Sequence, residues 1–112
     1  MSRVEEAERG LSAQIVDIMA RVKVIKDEML RLEVEMSGAG EAERCRLQSA
    51  TKVQSDELNA LSDFVVGANR SAWAVYIGLA EDHEKPALEG MRRLCKEIEV
   101  IAADLLCYSL GH

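Results

Sequence analysis

The sequence predicts an all-α protein: a long antiparallel helical hairpin plus a shorter third helix, packed as a three-helix bundle with a protruding coiled-coil tip. Three observations carry that reading. Apolar residues recur at alternating steps of four and three over the first third of the chain. The composition, 48% apolar but only 4% aromatic with one Pro, is poor in the residues that build and turn sheets. The breaks in helical periodicity fall at only two strong boundaries, one rich in Gly and one ending in Pro. At 112 residues the chain is a single domain, residues 1–112.

The first helix is expected over residues 2–36. Val4, Glu8, Leu11, Ile15, Ile18, Val22, Ile25, Met29, Leu32 and Met36 form one seam, and only Glu8 interrupts its apolar character. Neither Pro nor Gly breaks the run after Gly10, so a continuous rod of roughly 50 Å follows at the helical rise. Ser37-Gly38-Ala39-Gly40 ends it, with Gly available for a left-handed cap, and Glu41 opens a new acidic first turn.

The second helix is expected over residues 41–80. Its apolar face includes Leu47, Ala50, Val53, Leu58, Leu61, Phe64, Val65, Ala68, Ala72, Val75 and Leu79. The register passes Gly67 to Ser71 without a phase jump, which favours one unbroken helix; a Gly67 cap followed by a fresh start at Asn69 or Ser71 is the alternative. The face is thin before Glu57 and thickens afterwards. Ala72 to Ala80 is apolar or small on all sides, as expected of a helix with neighbours all round. Nine such residues cannot cross a bilayer, so no membrane span is expected.

Glu81 to Lys85 crowds charges before Pro86, and a third helix is expected over residues 86–110, carrying Leu88, Met91, Leu94, Cys95, Ile98, Ile101, Ala102, Leu105 and Tyr108. Short connections make antiparallel neighbours. Counting from the bends, the third helix covers about Leu61 to Leu79 and leaves the hairpin tip with two helices. The seam residues Val22, Ile25, Met29, Leu32 and Met36 would then face only Leu47, Ala50 and Val53. Each large apolar side chain left wet forgoes roughly 1.5–3 kcal/mol, so these eight residues are the expected partner-binding site. The expected partner is one or more protein helices, from a second copy or a different subunit. Parallel pairing of two first helices sets Arg21 against Lys26 and Glu28 against Glu33, which favours tail-to-tail or mixed pairing.

Net charge is −6 and the 14 basic residues are spread among acids, which leaves no footprint for nucleic acid. The acidic N-terminus does not resemble a secretory signal. Three cysteines, Cys45, Cys95 and Cys107, lack metal or redox spacing, and free thiols fit a reducing, cytoplasmic setting. Cys95 and Cys107 read as small buried hydrophobes, and Trp73 and Tyr76 as core aromatics. With His83 and His112 the only histidines, and no Glu-x-x-His pair or phosphate loop, no catalytic residue, metal, cofactor or small-molecule substrate is expected. The residues therefore point to a non-enzymatic interaction module, a small helical subunit or adaptor. A small helical chaperone that shields a client's apolar segment is the alternative, and a membrane-surface helix is disfavoured because acids balance the bases of the first helix.

Overall fold

A computed structural model describes residues 2–111, so His112 lies outside the described residues. The chain folds as three helices, α1 (Arg3–Ser37), α2 (Glu41–Ala80) and α3 (Glu89–Gly111), with a 3-10 turn (Lys85–Leu88) leading into the last. It is an all-α helical bundle, 62 Å long and 22 by 15 Å across, and α2 packs against both other helices more extensively than they touch each other.

Local chemistry sets each end. Ser2 is extended and its hydroxyl accepts from the Glu5 backbone N–H at 3.1 Å, while Glu5 and Glu6 place negative charge at the positive end of the α1 dipole. At the bend the expected left-handed cap is not formed. Gly38 sits at φ −107° and closes the helix by donating its N–H to the Glu35 carbonyl, with Ala39 donating to Met36 in the same way. Tightened bonds of this three-residue span satisfy the last carbonyls without a positive φ. α2 then runs unbroken through Gly67. At its far end the His83 ring Nδ1 donates to the Leu79 carbonyl at 2.9 Å, and Pro86 sits in the 3-10 turn, where a missing N–H costs nothing.

One continuous core joins Val4, Leu11, Ile15, Ile18, Ile25 and Met29 of α1, Leu58 to Leu79 of α2, and Leu88 to Leu105 of α3. Glu8, the one polar residue in the α1 seam, is accommodated by Gly90 at the start of α3: a β-carbon there would come within 2.5 Å of the Glu8 Oε1 atom. The Cys95 thiol, fully buried, donates to the Ala72 carbonyl at 3.5 Å and ties α3 to α2.

The third helix reaches further than counting from the bends predicts. Ser109 donates to the Asn59 side chain, and Lys26 lies 4.6 Å over the Tyr108 ring, so α3 ends beside Asn59 and Lys26 rather than at Leu61 and Ile18. The two-helix tip is correspondingly short.

Candidate functional site

The expected docking stripe is largely filled by the chain itself. Ile25, Met29, Leu32 and Leu47 are buried, Val22, Met36 and Ala50 are half-buried, and of the eight residues only Val53, at 55% exposure, stands mostly in solvent. The expectation that the seam is left wet is therefore corrected, for two reasons. Tyr108, at the end of α3, shares a cleft with Met29, Met36 and Thr51 and so covers the inner part of the stripe. Further out, the two arms close on each other, leaving Leu32 and Leu47 buried in a stretch where only α1 and α2 run. Ion pairs of Arg31 with Glu28 and Glu35, and of Arg46 with Glu43, lie along the rods outside the seam, where long charged stems shield apolar surface.

Besides Val53, exposed apolar side chains are scattered over all three helices, and some of them fall on the side where α1 and α2 meet. Val24 on α1 is 68% exposed, and Phe64 and Val75 on α2 are 50% and 46% exposed. Along a helix, Asp17, Ala20, Val24 and Arg31 share one face, and Val53, Ala60, Phe64, Ser71 and Gly78 share another. The hairpin turns these two faces to the same side. There they border an open cleft of about 600 Å³ lined by Ala20, Arg21, Val24, Glu57, Ala60 and Phe64. Two further clefts continue it toward the other end, one between Gln14 and Ser71 with Val75 and with Met91 of α3 in its lining, the next between Ala7 and Val75 with Gly78. The result is a groove along the junction of α1 and α2. The lining of the first of these clefts comes from those two helices alone, while the contacts of α3 with α1, through Lys26 and Tyr108 and beside Val16 and Leu94, fall on the other flank.

Alanine and glycine form much of the groove floor. Nothing lies within 4 Å of where a β-carbon would stand on Gly67 or Gly78, so a neighbour can approach α2 closely at both. The rim is charged in both signs, with Arg21 of α1 and Glu57 of α2 both lining the first cleft. Closer to the tip, the Arg31 guanidinium beside Glu28 holds that carboxyl below the usual carboxylate range. Because both are solvated, the pair fixes side-chain geometry more than it stabilises the fold.

No family model, curated protein or solved structure matches the chain. The groove has to be read from its own chemistry.

Other candidates resolve as follows. Cys95 is buried as expected, and burial, with the Glu99 charge nearby, pushes its thiol above the usual value; Cys107, expected inside, is exposed on the outer face of α3, as Cys45 is on α2. All three are free thiols. Trp73 and Tyr76 are half-buried against the core and meet edge to face, with ring centroids 5.5 Å apart. The stretch from Ala72 to Ala80 has neighbours on two sides only, which leaves Val75 and Ile77 in solvent. Among the described residues no three His, Cys, Asp or Glu side chains converge as a cation site, and no helix is long and apolar enough to cross a membrane.

The residues that mark the groove, Val24, Phe64 and Val75, were missed as a site because each lies off the main seam. Their signal was present as apolar residues in excess of what one buried stripe requires.

Proposed function

We propose that this protein is a non-enzymatic interaction module, a small helical subunit or adaptor that receives a partner helix or helices in the groove between α1 and α2. The observation that carries the reading is the row of exposed apolar residues, Val24, Phe64 and Val75, along one groove with a small-residue floor, which exposed Val53 extends on the same face of α2. A groove between two antiparallel helices is the place a further helix occupies in a four-helix bundle, where ridges of one helix fit the furrow between two others. Mixed charge on the rim favours a protein helix over a nucleic acid or an anionic lipid surface, which select clustered bases.

The test compares what wild type, Val24→Glu with Phe64→Glu, and the control Val100→Glu retain from an extract of the source cells, the second copy of the chain included. The groove variant is expected to lose a protein that both wild type and control retain, while its far-ultraviolet circular dichroism stays helical. A groove variant that retains the same proteins as wild type overturns the reading.

A further inference from the structure

The exposed side of α2 carries an internal symmetry. Val53 and Val75 lie eleven residues before and after Phe64, and Ala60 and Ala68 lie four residues before and after it. Eleven residues are close to three helical turns, so Val53, Phe64 and Val75 stand in one exposed row along α2 that reads the same in both directions, with Ala60 exposed beside it and Ala68 buried in the core beneath. Such a row is complementary to itself when reversed.

The α1 side of the groove has the same property about the same level. Phe64 shares a cleft with Ala20 and Arg21, and Ala68 shares one with Gln14, which sets Phe64 level with Ile18 and Met19. Reversing α1 about the point between Ile18 and Met19 places Glu6 against Arg31. It also brings Asp17 beside Arg21. Glu6 takes part in no ion pair among the described residues, and it would join Arg31 beside the Glu28 and Glu35 carboxylates that Arg31 already pairs with on its own helix. Parallel pairing at the same level would instead set Glu6 on Glu6 and Arg31 on Arg31.

We infer that the groove binds a second copy of this chain, antiparallel to the first, about a two-fold axis at the level of Phe64 on α2 and between Ile18 and Met19 on α1. One axis satisfies both helices, as an isologous interface requires: each contact occurs twice, and Phe64 meets its own copy on the axis. The result is a four-helix layer, α1 on α1 and α2 on α2, with each α3 on an outer side. The apolar row from Val53 to Val75 spans about 33 Å, and with the 22 Å breadth of the molecule it offers roughly 700 Å² per copy, close to the ~800 Å² of a standard protein interface. This inference rests on the proposed interaction role of the groove and names its partner.

Sedimentation equilibrium over a series from micromolar to millimolar chain tests it. Wild type is expected to reach twice the mass of one chain, and Phe64→Glu to raise the dissociation constant roughly thirty-fold or more, as loss of a central anchor does. In a chain carrying Cys45→Ser and Cys107→Ser, Phe64→Cys is expected to oxidise to a covalent dimer, and Val100→Cys on α3 not to. Val53→Cys and Val75→Cys chains, mixed in that same background, should cross-link to each other faster than either does to itself. A wild type that stays at the mass of one chain throughout, or cross-linking at Val100→Cys as fast as at Phe64→Cys, overturns the inference. A monomeric wild type whose groove variant still loses a foreign protein from the extract removes the second copy as partner and leaves the interaction role standing.

Discussion

Ile98 and Val100 stand two residues apart on α3, and the bundle makes opposite demands on them. Ile98 has no exposed surface and belongs to the continuous core, whereas Val100 is 59% exposed on the outer face. Truncating Ile98 to Ala removes three buried carbon atoms and leaves a cavity that close-packed neighbours fill only in part, a change that costs about 3 kcal/mol. Unfolding entropy for a chain of this length converts that into a fall of about 12 °C in melting temperature. Val100→Ala removes two carbon atoms already in water and replaces a β-branched residue by a better helix former, so it should stay within about 0.5 kcal/mol of wild type. Urea unfolding followed by circular dichroism at low chain concentration measures both, and low concentration keeps association from contributing. If Ile98→Ala and Val100→Ala lie within 0.5 kcal/mol of each other, to use the ordinary scatter of surface substitutions as the yardstick, the register of α3 and the core built on it are wrong.

Further outcomes follow from individual side chains. The Asn69 Oδ1 atom is buried with no hydrogen-bond partner among the described residues, so Asn69→Leu should raise stability by about 1 kcal/mol in thermal unfolding; destabilisation would mean that the amide has a partner. A thiol reagent should modify Cys45 and Cys107 quickly and Cys95 only on unfolding, and three fast thiols would contradict the packing of α3 on α2. Burial keeps the Cys95 thiol neutral in the fold, with its pKa raised above the ordinary thiol value of 9.0, while the unfolded chain ionises at that ordinary value. The native state therefore holds the proton longer, and stability present below pH 9.0 is lost as pH rises above it; Cys95→Ala should flatten that alkaline decline in a pH series of melting curves. Gly67 lies inside α2 with open space where a β-carbon would stand, so Gly67→Ala should stabilise the isolated chain by about 1 kcal/mol, and a loss would contradict the unbroken helix.

The three helices were legible because each boundary had a local cause. Pro86 and the charge run before it, the Gly pair at 38 and 40, and the unshifted register through Gly67 each dictate what the backbone does there. The state of the tip was not legible. Periodicity tells which residues share a face, but not how far a neighbouring helix reaches, and the reach of α3 to Tyr108 decides whether Met29 is covered. Nor does it say how completely two arms close, which is why Leu32 and Leu47 are buried without a third helix. Cys107 points outward because Leu105, two positions earlier, takes the core side of α3, a choice that a broad apolar face leaves open. The groove was half legible: the surplus of apolar residues around α2 was plain, but an all-round apolar helix reads equally as one surrounded by its own chain. Only the placement of Val75 and Phe64 in solvent, beside clefts lined mainly by α1 and α2, turns the even spacing of Val53, Phe64 and Val75 into a surface.

The central claim is that partners meet this chain along the α1 and α2 groove and not end to end at the hairpin tip, and small-angle X-ray scattering of the associated protein tests it most directly. Phe64 lies only a few residues from the middle of α2, so two copies paired about it overlap along nearly their whole length, staggered by about 10 Å. The expected particle has doubled mass and a longest dimension within about that stagger of the 62 Å of one chain, with a thickened cross-section. A doubled mass in a particle approaching twice that length would place the contact at the tip and contradict it.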